Sequence, residues 1–63
     1  MNKQEAIEAM KVGKKVTHEY FNSDEYIYMI GESLYDEGDS YLISDLFWKD
    51  REGFHWDTGW SVK

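Results

Sequence analysis

The sequence predicts a small α+β domain: an antiparallel β-sheet packed against an N-terminal α-helix, with a second short helix. Three observations point there. An apolar stripe at helical spacing, Ala6, Ile7, Ala9 and Met10, occupies the opening segment. Period-two alternation takes over after Gly13. No proline and no low-complexity run interrupts the 63 residues, so residues 1–63 are expected to form one unit.

The elements follow in order. Asn2 and Glu5 have capping-box spacing, Lys11 suits the negative end of a helix, and Gly13 suits its C′ position. A helix over residues 3–12 results. Val16, His18 and Tyr20 would then share one face of a strand, with Thr17, Glu19 and Phe21 on the other. Asn22-Ser23-Asp24 reads as a turn, and Tyr26 to Ile30 as a second strand that pairs antiparallel with the first. Gly31-Glu32-Ser33 turns the chain into a short strand at Leu34-Tyr35. Asp36-Glu37-Gly38-Asp39-Ser40 is a loop, and Tyr41-Leu42-Ile43 returns. Ser44 is placed to cap a short helix through Phe47, Trp48 and Lys49 that Gly53 would stop. Phe54, Trp56, Thr58, Trp60 and Val62 alternate as a closing strand, unless Asp57-Thr58-Gly59 is a turn that makes the alternation an accident.

Composition narrows the chemistry. There is no cysteine, which excludes disulfides and thiolate metal sites. His18 and His55 are too few for a structural zinc site without carboxylates. Asp36-Glu37-Gly38-Asp39 lacks the ligand spacing of a calcium loop, and the glycines form no phosphate-cradling motif. No metal and no cofactor is therefore expected. Neither histidine is preassembled with its carboxylate neighbour, Glu19 or Asp57, because adjacent strand residues point to opposite faces. No catalytic residue is assigned, and the chain is read as a non-enzyme. A domain of this length buries only about 60% of its unfolded surface. Homo-oligomer formation is one route to added stability.

The net charge is −6, unevenly spread. From Glu19 to Trp48 there are eight acids and no Lys or Arg. Such a field repels nucleic acid and attracts basic surfaces. No stretch suits a bilayer, and the opening residues lack an export-signal pattern, so the expected location is the cytoplasm.

Aromatic residues are abundant: three Trp, five Tyr and three Phe. Val16, Ile27, Met29, Phe47 and Phe54 are the expected core. Tyr20, Tyr26, Tyr28, Trp56 and Trp60 are candidates for a surface or interface role, since large rings with a polar tip dominate binding hot spots. The expected partner-binding residues are Tyr26, Tyr28, Tyr35, Asp36, Glu37, Asp39, Trp56 and Trp60.

The run from Glu5 to His18, followed by Tyr20-Phe21-Asn22 and an apolar strand, resembles the opening of small phage and prophage counter-defence proteins. The nearest is the second Thoeris anti-defence family, and Trp60-Ser61-Val62 is similar to its terminal strand. The resemblance covers roughly residues 5–30 and the last few positions. His18 stands where that family has Arg, Phe21 where it has Trp, and the family's longer middle section is absent. The resemblance implies a phage-type protein, and members of the family oligomerise to sequester a nucleotide immune signal.

Three functions are consistent with these residues. The first is a counter-defence or host-takeover protein that inhibits a host protein, such as a defence component, through an acidic, aromatic surface. The second is an oligomeric sponge for a nucleotide signal, with Lys14, Lys15, His18 and Tyr20 at the ligand. The third is a structural or accessory phage protein.

Overall fold

In a computed structural model describing residues 1–63, the first helix is fixed at both ends by its sequence. Helix α1 spans Lys3–Lys11. The Glu5 amide donates to Asn2 Oδ1 at 2.8 Å and the Asn2 amide to Glu5 Oε1 at 2.9 Å, a reciprocal capping box. At the other end Gly13 takes φ 93°. Its amide donates to Met10 O, and the Lys14 amide donates to Ala9 O, closing a Schellman motif. Ala6 and Met10 form the buried face.

Five strands follow: β1 (Val16–His18), β2 (Ile27–Ile30), β3 (Ser33–Asp36), β4 (Tyr41–Leu42) and β5 (Trp60–Val62). Helix α2 (Ser44–Lys49) and a single 3-10 turn at Phe54–Trp56 separate β4 from β5. The sheet order is β4-β3-β2-β1-β5, antiparallel throughout. The α+β architecture with an N-terminal helix and a second short helix is thus the one predicted. Gly31-Glu32 joins β2 to β3 as a two-residue turn, with Gly31 at φ 63° supplying the positive dihedral such a hairpin requires. Ser33 pairs with Ile30 and so belongs to the strand, not to the turn.

The core lies on one side of the sheet. Val16, Ile27, Leu34 and Trp60 project from the strands to meet Ala6 and Met10 of α1 and Phe47 of α2. Trp60 is only 2% exposed, and its indole N–H donates to Trp56 O at 2.7 Å. The predicted surface role for Trp60 is therefore corrected: a partner docking on the folded domain cannot reach it.

His18 is the one buried polar side chain. Nδ1 accepts the Tyr20 amide at 3.0 Å, and Nε2 stands 2.7 Å from Thr58 O. A carbonyl only accepts, so the ring proton sits on Nε2 and the imidazole is neutral. The Phe21 amide also donates to His18 O. These bonds turn the chain at once, so β1 stops at His18 and Tyr20 and Phe21 leave the strand. Only Val16 and Ile27 face each other between β1 and β2, which is far less pairing than the predicted hairpin.

The closing alternation also breaks. Gly53 at φ 104° and Gly59 at φ 91° bend the chain on either side of the 3-10 turn. Strand geometry survives only from Trp60 to Val62, and Asp57-Thr58-Gly59 is the turn. Phe54, expected in the core, is 76% exposed. Ser44 is the first helical residue and not the cap; Ile43 occupies that position without a side-chain bond.

A Cβ on Gly59 would lie 2.9 Å from His18 Nε2 and 3.0 Å from Glu19 Cδ. The imidazole is pinned and cannot yield. Gly59→Ala is expected to cost about 1–3 kcal/mol or more, read as a lower thermal midpoint by circular dichroism. Trp60→Ala should cost about 3–5 kcal/mol, comparable to the whole ~3–5 kcal/mol available to a core of this size, and so abolish the cooperative transition. Phe54→Ser should change stability by less than about 0.5 kcal/mol.

Candidate functional site

The side of the sheet away from the helices carries a row of tyrosines. Strand alternation sends Tyr28 outward from β2 while Ile27 and Met29 point inward. Register then aligns Tyr28 with Tyr35 of β3 and Tyr35 with Tyr41 of β4. Tyr28 and Tyr35 stack at 5.5 Å between ring centroids with planes 19° apart. Tyr41 meets Tyr35 edge-on at 5.9 Å, and Tyr26 lies 6.3 Å from Tyr28. Three phenol rings thus run side by side, held by cross-strand pairing, and Tyr26, just before β2, extends the row beside Tyr28. Lys15 Nζ lies 4.8 Å from the centre of the Tyr26 ring, and Thr17 Oγ1 donates to Glu25 O, which anchors the segment entering β2.

An acidic loop edges this row. Glu37-Gly38-Asp39 joins β3 to β4, and Asp39 sits at φ 61°, the left-handed position of a three-residue hairpin loop. Asp36 Oδ1 gathers the loop by accepting the Gly38 amide at 2.9 Å and the Ser40 amide at 3.0 Å. Asp39 in turn accepts a hydrogen bond from the Tyr28 hydroxyl. That bond, with the added negative charge of Asp39, pushes the Tyr28 phenol up to about 12 from its ordinary 10.0.

The structure therefore gathers Tyr26, Tyr28, Tyr35, Asp36, Glu37 and Asp39 into one region. It does not bring Trp56 or Trp60 there. Trp56 is half-buried in a separate cluster, 4.4 Å from His18 and 5.5 Å from Tyr20 between ring centroids. The four residues expected at a nucleotide do not converge either. His18 is buried with both ring nitrogens bound to backbone, which removes it as a ligand contact on the folded domain. Tyr20 is exposed beside His55 and Trp56, and of the two lysines only Lys15 is placed against the tyrosine row.

Tyr41 was not among the expected contacts. Its signal was present: it returns after a loop, flanked by a residue of opposite character, as a strand partner of Leu34-Tyr35. A groove of about 500 Å³ was not foreseeable from the sequence. It opens between α2 and the ends of β2, β3 and β4, next to Tyr26 and Tyr41. Ile27, Leu42 and Phe47 supply its apolar lining. Arg51 lies in its wall, with the guanidinium 4.0 Å from the Phe47 ring centre and Nη1 donating to Phe47 O.

Comparison with known proteins returns no match: no family model, no curated protein and no solved structure aligns with this chain. No helix is long and apolar enough to cross a membrane.

The folded state holds the Tyr28 proton more tightly than the unfolded chain does. Its contribution is present below about pH 10 and is lost as pH rises through about 12. Removing the acceptor with Asp39→Ala should move this ionisation down toward 10.0, followed by the ring carbon resonance of Tyr28 in an alkaline NMR titration. Asp39→Gly should do the same while relieving the left-handed backbone, leaving stability unchanged or higher by up to about 1 kcal/mol.

Proposed function

We propose that this domain is a non-enzymatic binding protein of phage counter-defence or host-takeover type. It inhibits a host protein by laying the tyrosine row and its acidic edge against a basic surface of the target. The observation that carries this proposal is the row itself: Tyr28, Tyr35 and Tyr41 aligned across three strands, with Tyr26 beside Tyr28. Tyrosine offers a large rigid contact with few rotors and a polar tip, which is why such rings dominate interface energetics.

Charge adds direction. The single ion pair of the domain joins Lys11 to Glu8 at 3.6 Å, on the exposed surface of α1. Glu25, Asp36, Glu37 and Asp39 thus stand beside the tyrosines without a cationic partner, free to attract a basic target and to speed its approach. Such a target would lie in the cytoplasm of the host. The partial resemblance to anti-defence proteins supports the same assignment.

Lys15 over Tyr26 supports a second reading, an oligomeric sponge for a nucleotide signal. A cation beside a ring is the pairing that holds a phosphate and stacks a base.

One experiment separates the two. The immobilised protein and its Tyr41→Ala variant are exposed to host lysate, and both retained proteins and heat-released small molecules are identified by mass spectrometry. Tyr41 is 63% exposed, so the variant should fold normally. A host protein retained by the parent should bind the variant at least about thirtyfold more weakly, the ~2 kcal/mol of a hot-spot ring. It should also be released between about 0.05 and 0.5 M salt as the attraction is screened. Equal retention by both proteins, or a nucleotide released on heating in place of a captured protein, would overturn the inhibitor reading.

A further inference from the structure

We infer that the groove under α2 is a receptor for one Lys or Arg side chain of a partner protein, presented on a segment lying along the free edge of β4. This inference rests on the proposed binding function and deepens it by naming what the partner must offer.

The groove has the two parts that such a side chain needs. Ile27, Leu42 and Phe47 give an apolar lining for the methylene stem, and four carboxylates, Glu25, Asp36, Glu37 and Asp50, surround it for the charged head. None of the four has a cationic partner within the domain. The one cation in the wall, Arg51, is turned toward protein. Its guanidinium lies over the rings of Phe47 and Trp56, at 4.0 and 5.4 Å, and bonds a backbone carbonyl.

The surroundings select the presentation. β4 is the outermost strand and has a neighbour on one side only. Such an edge is where an extended segment adds. Ile43 and Leu46 stand exposed at the groove, and Tyr41 joins it to the tyrosine row. Apolar residues around a charged contact exclude water and strengthen it.

Charge also decides among occupants. A second copy of this chain would bring the same four carboxylates and a net charge of −6 against the first. An anion meets four like charges and one engaged guanidinium. No three of the carboxylates gather as a metal-holding group. A cationic side chain on an apolar stem satisfies both the lining and the rim.

The test uses the whole labelled domain and two probes, acetyl-Val-Arg-Val-amide and the same peptide with citrulline in place of arginine. Citrulline keeps the shape and removes the charge. The arginine peptide should shift the amides of Glu25, Glu37, Ile43, Leu46 and Asp50 saturably in proton–nitrogen NMR spectra. The citrulline peptide should bind about tenfold more weakly or worse, the loss expected when a charge-assisted bond is removed. A Glu37→Gln, Asp50→Asn double variant changes two exposed side chains, so it should fold, and it should lose the same factor. Equal binding of the two peptides, or shifts confined to residues outside the groove, would overturn the groove assignment. That result leaves the tyrosine row untouched, because Tyr35 lies outside the groove and Tyr35→Ala should still weaken capture of the host protein.

Discussion

The fold turns on the imidazole of His18. It is buried, neutral, and clamped between two backbone groups from distant parts of the chain, the Tyr20 amide and the Thr58 carbonyl. One bond ends β1 and the other delivers β5 to its edge. Thr17 and Ser61, then His18 and Trp60, come opposite each other, and Trp60 drops into the core. The N-terminal segment follows the same seam: Met1 and Trp60 exchange backbone bonds, and the Lys3 amide donates to Asp57 O. A chain of 63 residues without disulfides depends on such a junction, because a buried donor or acceptor left unmatched costs about 1–3 kcal/mol.

That junction also sorts the aromatic residues. Trp60, Trp56 and Phe21 gather around His18, and Trp48 packs on Trp60 from α2. These rings do structural work at one end of the sheet. Tyr26, Tyr28, Tyr35 and Tyr41 are left on the opposite side, where they pack on each other, with Lys15 on Tyr26 and Asp39 at the Tyr28 hydroxyl. The acidic loop takes its shape from Asp36, and its tip residue Asp39 holds a dihedral that a non-glycine residue adopts at some cost.

Much of this was legible in the sequence. The capping box at Asn2 and Glu5, the Schellman glycine at position 13 and the alternation through Tyr26–Ile30 are local signals, and local bonds realise each of them. The tyrosine row was legible in part, because Tyr26, Tyr28 and Tyr35 announce a face, while Tyr41 needs the register across the acidic loop. The misreadings have a common cause. Phe54 to Trp60 alternates as well as any strand, yet two glycines in left-handed conformations and the pull of His18 on Thr58 override the pattern. Trp60 was misplaced because burial of a large ring depends on which strand lies beside it, and β5 pairs with β1 across more than forty positions of chain. The groove under α2 is assembled from four separate segments, and no spacing rule brings those together.

The seam between β1 and β2 has a further consequence. A single facing pair, Val16 and Ile27, links them, whereas β2, β3 and β4 form a continuous ribbon closed by two short loops. Helix α1 bridges the seam by lying across β1, β2 and β5. Helix α2 bridges it as well, because it follows β4 and sets Trp48 against Trp60 of β5. The ribbon that bears the tyrosines is built from near neighbours in the chain, so its pairing closes only short loops. The half around His18 joins residues forty positions apart and closes only after the chain has come back on itself. The tyrosine ribbon can therefore form before the junction at the histidine is complete.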